Sequence, residues 1–273
     1  MIELVFTLKA VPRLRVDMRG VTPAVLAALN REAIAGQPVW HGNERVALAD
    51  LFSIVVRERR DDMPALRLIG DLARFDRIGW AMESGRIEID GTAGDYLGAL
   101  MLAGEIRCGG NAGMFAGCEM AGGALHIDGN TGDFAAATQP GSMDGMRGGE
   151  LIVRGNAGDR LGDRMRRGLL VVYGNTGDFT ASRLVAGTIA IGGTPGAHPA
   201  FGMRRGTLVL AQTRVELAPT FVPTTHDFVV IWRLLARQIS AMGGPFESLA
   251  TRMPQRQVGD LAVDGKGEVL QVR

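Results

Sequence analysis

Residues 165–183, MRRGLLVVYGNTGDFTASR, and residues 184–202, LVAGTIAIGGTPGAHPAFG, are two successive copies of one 19-residue unit. Each copy has a glycine at its fourth position, here called the marker glycine, and Met or Leu three residues before it. Markers lie 19 residues apart except for one step of 26, at Gly85, Gly104, Gly123, Gly149, Gly168, Gly187 and Gly206. A fixed period of about 20 residues is typical of a solenoid built from stacked repeats.

Apolar residues alternate just after each marker glycine. Leu170 and Val172 stand two and four residues after Gly168, and the other copies are apolar at the same two positions. Period-two alternation indicates a strand with one buried face. Each strand runs into a turn such as GNTGD at residues 174–178, where glycine supplies a positive φ and Asn or Asp bonds the nearby backbone. We therefore predict an all-β protein whose residues 61–215 form a right-handed parallel β-helix of 19-residue coils.

Equivalent residues of successive coils should stack about 4.8 Å apart. This spacing predicts ladders of Asn111 with Asn130 and of Asn156 with Asn175. Aspartates that recur at one turn position are predicted to cap turn amides, since the calcium-binding nonapeptide pattern is absent: Asp95, Asp133, Asp159 and Asp178.

The segments outside the repeat are predicted to cover its ends, because an open terminal coil would expose strand edges. Residues 1–60 form an α+β cap, with MIELVFTLKA as an edge strand, a short helix over Pro23–Ala35 and a strand over Val46–Val56. Residues 216–273 begin with an amphipathic helix that is capped by Thr225 and closed by Gly243 and Gly244. Its apolar stripe is Phe228, Ile231, Trp232, Leu235 and Ile239, which packs either on the last coil or on another subunit. Leu261 to Arg273 is expected to be an extended arm.

Composition excludes several classes of function. The formal net charge is +1, so the chain has no general attraction to nucleic acid or membrane. No apolar run approaches the ~20 residues of a membrane span, and the first residues do not resemble a secretion signal, which predicts a cytoplasmic protein. Cys108, Cys118 and four scattered histidines show no metal-ligand grouping, and no catalytic constellation emerges. We predict neither a metal site nor catalytic residues.

Two surface ladders indicate contacts beyond a bare solenoid. Three residues after the marker, the outward positions of four successive coils are apolar: Ile152, Val171, Ala190 and Val209. Such a strip marks a contact surface. It is covered either by a terminal segment or by a partner, in which case Ile152, Val171, Val209 and Trp232 form a partner interface.

The second ladder is cationic and comprises Arg147, Arg166, Arg167, Arg204 and Arg205, with Arg164 and Arg183 stacked nearby. Stacked like charges need an anion or facing carboxylates, which predicts an acidic ligand or an acidic partner surface. The alternative is an Arg-rich coding bias, since Lys9 and Lys266 are the only lysines, combined with pairing to Asp163 and Glu150. The 26-residue step adds seven residues between Ala135 and Gly145, either at a binding edge or in a tolerant turn.

The GNAGD and GNTGD turns with the M-x-x-G lead-in resemble the Gly-rich β-helix of the glutamate synthase large subunit. They resemble more closely the C subunits of the formylmethanofuran dehydrogenase family, as do PTFVPTTHDFVVIWRLL and GDLAVDGKGEVLQVR near the C-terminus. The Arg-dominated composition is more similar to the bacterial form, the formyltransferase/hydrolase complex of methylotrophs.

That resemblance implies a non-catalytic structural subunit. The complex transfers a formyl group from formyl-tetrahydromethanopterin to methylofuran and releases formate, with chemistry and metals on amidohydrolase-like and formyltransferase-like partners. The five arginines are then expected to help bind the acidic tail of methylofuran (or methanofuran).

Three alternatives remain open at this stage. The chain could belong to a molybdenum or tungsten formylmethanofuran dehydrogenase, which is the redox version of the complex. It could be a glutamate-synthase-like solenoid, although the chain has no N-terminal catalytic cysteine. It could be a carbohydrate-active β-helix enzyme, for which stacked aromatic residues are expected. The chain contains two tyrosines and three tryptophans, which argues against this class.

Overall fold

The computed structural model describes residues 2–58, 63–212 and 214–272, and its dominant feature is one large sheet. Within those ranges 13 strands form this sheet and most neighbouring strands run parallel, while a second sheet has four strands. Helices are few and lie mainly at the two ends of the chain. The protein is therefore mostly β, with a large parallel-rich sheet.

The N-terminal residues form an α+β unit at one end of the large sheet. Its elements are β1 (Ile2–Leu8), β2 (Val16–Asp17), α1 (Pro23–Ala27), α2 (Arg31–Gly36), β3 (Pro38–His41), β4 (Glu44–Ala47), α3 (Leu48–Leu51) and β5 (Phe52–Glu58). The prediction of β1 as an edge strand is wrong, because β5 pairs along its outer side and β6 (Ala65–Ile69) along its inner side. The single predicted helix over Pro23–Ala35 is two helices, since Asn30 caps a new start at α2 by accepting from the Ala33 amide at 2.8 Å. Helix α3 likewise interrupts the strand predicted over Val46–Val56.

The repeats supply a run of parallel strands. After β7 (Phe75–Asp76), which joins the four-stranded sheet, come β8 (Arg86–Asp90), β9 (Glu105–Cys108), β10 (Ala124–Ile127), β11 (Glu150–Val153), β12 (Leu169–Val172), β13 (Thr188–Ile191) and β14 (Thr207–Leu210). Each pairs with the next one repeat along the chain, as in Leu151 with Leu170 and Leu170 with Ile189. The inward residues form buried apolar columns, as the alternation predicts. A further line of parallel bridges, such as Ala157 with Thr176, joins neighbouring repeats away from these strands.

The marker glycines stand where the backbone of one repeat approaches that of the previous one. Gly168 has φ +101°, and a Cβ placed there would lie 2.7 Å from the carbonyl oxygen of Gly149, the marker before it. No residue with a side chain fits both the dihedral angle and the space. The recurrent glycine is therefore required by the packing of one repeat on the next.

The predicted turn ladders are present. The side-chain oxygen of Asn111 accepts from the Asn130 amide at 2.8 Å, and that of Asn156 from the Asn175 amide at 2.7 Å. Asp159 accepts from the Asp178 amide in the same way at 2.8 Å. Each capped amide belongs to the following repeat, so the ladders tie successive repeats together.

The C-terminal segment continues the large sheet and also covers one of its faces. It contains β15 (Val222–Pro223), α4 (Val229–Ser240), β16 (Gln255–Gly259) and β17 (Gly267–Gln271). Strand β17 pairs in parallel with β14, so the predicted extended arm over Leu261 to Arg273 is wrong for its described residues. The prediction of Thr225 as the helix cap is also wrong. Helix α4 begins at Val229, whose amide donates to the Asp227 carboxylate at 3.0 Å.

The apolar outward strip is covered by this same chain. Val171, Ala190 and Val209 are fully buried in a cluster with Trp232 of α4, and Ile152 packs at its margin. The Trp232 ring nitrogen donates to the Arg252 carbonyl at 2.7 Å, which ties α4 to a later part of the C-terminal segment. The partner interface predicted at Ile152, Val171, Val209 and Trp232 is therefore wrong, and the alternative of an intramolecular cover is confirmed. Ile231, assigned to the inner stripe, is 66% exposed and does not belong to the buried face of α4.

Candidate functional site: an arginine-lined pocket

The five arginines predicted as a binding site lie together. They line an open pocket of roughly 630 Å³ with Val185 and Ala186: Arg147, Arg166, Arg167, Arg204 and Arg205. All five are exposed. This surface is called the arginine pocket below.

The repeat explains why these side chains meet. Each cationic pair or single arginine follows a buried Met and precedes a marker glycine, so it occupies the same corner of its repeat. Backbone hydrogen bonds hold that corner in register, with Arg166 N donating to Met146 O at 2.8 Å and Arg204 N to Leu184 O at 2.8 Å. Val185 and Ala186 occupy the corner of the intervening repeat, so they separate two cationic layers.

Few carboxylates neutralise the arginine pocket. Arg166 forms an ion pair with Asp144, and the Arg147 side chain donates to the Glu119 carbonyl at 3.4 Å. Among the described residues, no carboxylate pairs with Arg167, Arg204 or Arg205.

The carboxylates expected to neutralise the ladder are engaged elsewhere. Asp163 binds Arg183 and Ser182, and Glu150 faces His126 at 3.3 Å. The prediction of pairing is thus right for Arg183 and wrong for the pocket itself. Since like charges at this spacing repel, the pocket favours an anion.

The insertion between Ala135 and Gly145 lies beside the arginine pocket. Its backbone is held by the buried Glu119, whose carboxylate accepts from the Gln139 amide at 3.0 Å. Asp144 then reaches Arg166, and Met143 contacts the Arg164 guanidinium with 2.9 Å between nitrogen and sulfur. The contact between Asp144 and Arg166 was not predicted, because the sequence shows only that the insertion contains one carboxylate and not where it lies.

The chemistry available in the arginine pocket is recognition of negative charge. Guanidinium groups bind carboxylates or phosphates through paired N–H donors and remain protonated at any physiological pH. The lining contains arginine, valine and alanine, so none of these groups serves as a nucleophile or as a general base near neutral pH. The pocket can therefore hold and orient an acidic ligand.

The cysteines and other metal-binding residue types lie apart from this pocket. Cys108 and Cys118 are buried free thiols, and burial raises the pKa of Cys118 to about 12. The residues that the structure describes include no group of three or more His, Cys, Asp or Glu side chains placed to hold a metal ion. No helix in the described part of the chain has the length and apolar character needed to cross a membrane.

Comparison with known proteins gives matches in sequence and in structure. The family described as the GXGXG motif matches residues 69–225. The C subunit of the molybdenum-containing formylmethanofuran dehydrogenase 1 of Methanosarcina barkeri is 32% identical over 95 residues, covering 34% of this chain and 32% of that protein. The C subunit of the formyltransferase/hydrolase complex Fhc of Methylorubrum extorquens is 41% identical over 84 residues, covering 30% of each chain. These alignments span about a third of each curated relative.

Similarity in structure extends much further. A chain in the crystal structure of the formyltransferase/hydrolase complex (FhcABCD) of Methylorubrum extorquens, in complex with methylofuran, matches with a TM-score of 0.88 and 37% identity. The match covers 98% of this chain and 98% of that chain.

Proposed function

Because this chain belongs to the GXGXG-motif family and is a homologue of the C subunits of formylmethanofuran dehydrogenase and of the Fhc complex, we propose that it is the non-catalytic C subunit of a formyltransferase/hydrolase complex. The observation that carries the proposal is the match over 98% of both chains to a component of such a complex. In this role the complex transfers a formyl group from formyl-tetrahydromethanopterin to methylofuran and releases formate. Partners of amidohydrolase-like and formyltransferase-like type carry the reaction and any metals, in the cytoplasm.

The scaffold proposed for this role is a right-handed parallel β-helix. Support comes from the parallel pairing of strands 19 residues apart and from the further line of parallel bridges between the same repeats. Parallel strands joined by a crossover connect with right-handed geometry in about 98% of cases. A scaffold of this kind presents equivalent residues in straight ladders, which suits the recognition of extended ligands.

The arginine pocket is proposed to help bind the acidic tail of methylofuran, the formyl carrier of the complex. Arg167, Arg204 and Arg205 support this role, because no carboxylate among the described residues pairs with them. A chain with repeated carboxylates would meet cationic layers two repeats apart, with Arg166 and Arg167 in one layer and Arg204 and Arg205 in the other. Several charge-assisted hydrogen bonds would then act together.

Purification tests the assignment as a subunit. The tagged chain is isolated from its native host at moderate salt, every co-eluting protein is identified, and the mass of the assembly is measured. Recovery with amidohydrolase-like and formyltransferase-like subunits supports the proposal. A chain that elutes alone as a monomer overturns it.

A molybdenum or tungsten formylmethanofuran dehydrogenase is the second candidate. The similarity to the C subunit of the Methanosarcina barkeri enzyme favours it, at 32% identity. Co-elution with a molybdopterin-containing protein would decide for this redox version.

The role of the arginine pocket has a separate test. Replacing Arg167, Arg204 and Arg205 by Ser should lower the amount of carrier retained by the assembled complex. The matched control replaces Arg13, Arg31 and Arg57, three exposed arginines of the N-terminal unit, so that the net charge changes equally. Equal carrier retention in both triple variants would remove the pocket from the proposal and leave the assignment as a subunit intact.

A further inference from the structure

A second, smaller pocket adjoins the arginine pocket and has an apolar centre. Its volume is roughly 330 Å³, and it shares Arg166, Val185 and Arg204 with the arginine pocket. Three exposed apolar side chains line it: Met143 at 66%, Phe201 at 55% and Val263 at 41% exposure. These three residues are called the apolar notch below.

The apolar notch is assembled from three distant segments of the chain. Met143 comes from the insertion, Phe201 from the last complete repeat, and Val263 from a 3-10 helix, Leu261–Val263, in the C-terminal segment. Separate segments that each place an exposed apolar side chain at one point form a patch of the kind that marks protein contacts.

Hydrogen bonds fix the notch in advance of any binding event. The Asp260 side chain is buried at its base and accepts from the Gly202 amide at 3.1 Å and from the Ala262 amide at 3.0 Å. This carboxylate therefore joins the residue after Phe201 to the residue before Val263. The Phe201 ring also packs edge-on against Phe179, with 5.9 Å between ring centroids. A preformed surface of this kind loses little conformational entropy on binding.

The rim of the notch is cationic. It is formed by Arg164, Arg166, Arg183 and Arg204. Arg166 pairs with Asp144, and Arg183 pairs with the buried Asp163. Within the described ranges no carboxylate pairs with Arg164 or Arg204, so the rim keeps unneutralised positive charge.

An apolar centre inside a charged rim is the usual anatomy of a protein–protein hot spot. The volume lies near the lower end of the ~300–1,000 Å³ range of ligand sites, which suits one or two side chains. A small acidic metabolite would satisfy the rim and leave the apolar side chains exposed. An acidic segment of a protein satisfies both.

We propose that the apolar notch docks an acidic segment of a partner subunit. One or two apolar side chains of that segment insert between Met143, Phe201 and Val263, while its carboxylates face Arg164 and Arg204. The inference rests on the proposed function, because it requires that the chain assemble with other subunits.

The test measures the affinity of the full chain for the remaining subunits of its complex, purified separately. A triple variant, Met143→Ser with Phe201→Ser and Val263→Ser, should bind at least tenfold more weakly. The control, Val11→Ser with Val55→Ser, also removes exposed apolar side chains, which are 56% and 46% exposed, and should bind like the wild type. Circular dichroism and the thermal midpoint verify that each variant is folded.

A charge variant keeps the inference testable if the triple variant does not fold. Arg164→Glu keeps all three apolar residues, although it removes the contact between Arg164 and Met143. It should slow association and weaken its dependence on salt, because steering by charge is screened by ions. Wild-type affinity in both the triple variant and Arg164→Glu would overturn the inference. If the triple variant assembled normally but the complex retained less methylofuran, the notch would be a methylofuran site, and the inference would also be overturned. If the wild-type chain bound none of the subunits, the proposed function itself would fail. The other outcomes test only the notch and do not affect the proposed function.

Discussion

Replacing the marker glycine Gly168 by Ala tests the claim that the repeats are held at close backbone contact. Gly168 has φ +101°, and the added Cβ would lie 2.7 Å from the Gly149 carbonyl oxygen and 2.9 Å from the terminal methyl of Met146. That carbonyl is not free to move, because it accepts a hydrogen bond from the Leu169 amide at 3.0 Å. The new methyl group therefore pushes two hydrogen-bonded repeats apart.

The magnitude follows from two separable effects. A positive φ costs a non-glycine residue about 1–2 kcal/mol, and the loss of glycine's freedom in the unfolded chain returns about 0.4–1 kcal/mol. Overpacking a closed site costs a further ~1–3 kcal/mol. Gly20 provides the control, since it has φ +81° and no atom within 4 Å of the place that an added methyl group would occupy. We expect Gly20→Ala to lower the free energy of unfolding by about 1 kcal/mol and Gly168→Ala by about 3 kcal/mol.

Urea unfolding at 25 °C, followed by far-UV circular dichroism, measures both values from the midpoint and slope of the transition. The slopes must agree between variants for the comparison to hold. If Gly168→Ala and Gly20→Ala were destabilised equally, the recurrent glycine would serve only the backbone angle, and the close-contact explanation of the repeat would be refuted.

Three further perturbations have defined outcomes. Trp232→Ala should lower the free energy of unfolding by about 3–5 kcal/mol, because it removes a buried ring and its hydrogen bond to the Arg252 carbonyl. Replacing the exposed neighbour, Ile231→Ala, should lower it by less than about 0.5 kcal/mol, and thermal unfolding of both variants measures the difference. Cys108 and Cys118 should resist a thiol reagent at pH 8 in the folded protein and react after denaturation, since burial raises the pKa of both thiols; rapid labelling of the native protein would contradict this. Burial tends to raise the pKa of Asp260, but hydrogen bonds from Thr220, Ala262 and Gly202 outweigh it and lower that pKa below its usual value. Its contribution to stability is therefore present above about pH 4 and is lost as the pH falls through the lowered pKa, so Asp260→Asn should reduce the acid-induced part of the stability loss in a pH series.

Local patterns in the sequence predict the repeated part of the fold because its contacts recur at one spacing. Glycine, asparagine and aspartate each occupy a position that contacts a neighbouring repeat. The marker Gly168 approaches the previous repeat, and Asn156 accepts a hydrogen bond from the Asn175 amide of the next one. A period of 19 residues thus encodes both the strand and its neighbour. The same logic brings Arg147, Arg166 and Arg204 to one edge, so the arginine pocket could be predicted by residue number.

The nonrepeated contacts carry no such signal. Strand β17 pairs with β14, with Thr207 opposite Glu268. The separation of these two residues along the chain does not follow the repeat, so the sequence pattern does not predict their pairing. The contact of Trp232 with Val171 and Val209 is also outside the repeat. The apolar stripe of the helix predicted a buried face, but it did not distinguish packing on the last coil from packing on another subunit. Asp144 reaches Arg166 from an insertion whose path is set by Glu119, a buried carboxylate in the preceding repeat.

The insertion adds residues at the edge of the large sheet without changing the buried core. Strands β10 and β11 remain in register across the 26-residue step, with Leu125 opposite Leu151 and Ile127 opposite Val153. The seven extra residues therefore leave the buried columns unchanged and appear only at the edge, where they add Met143 and Asp144 beside the arginines. Because the C-terminal segment already covers the outward strip, that part of the sheet is closed to a partner. We therefore propose that an acidic ligand or protein is recognised at the edge where the insertion, the arginine layers and the 3-10 helix of the C-terminal segment meet.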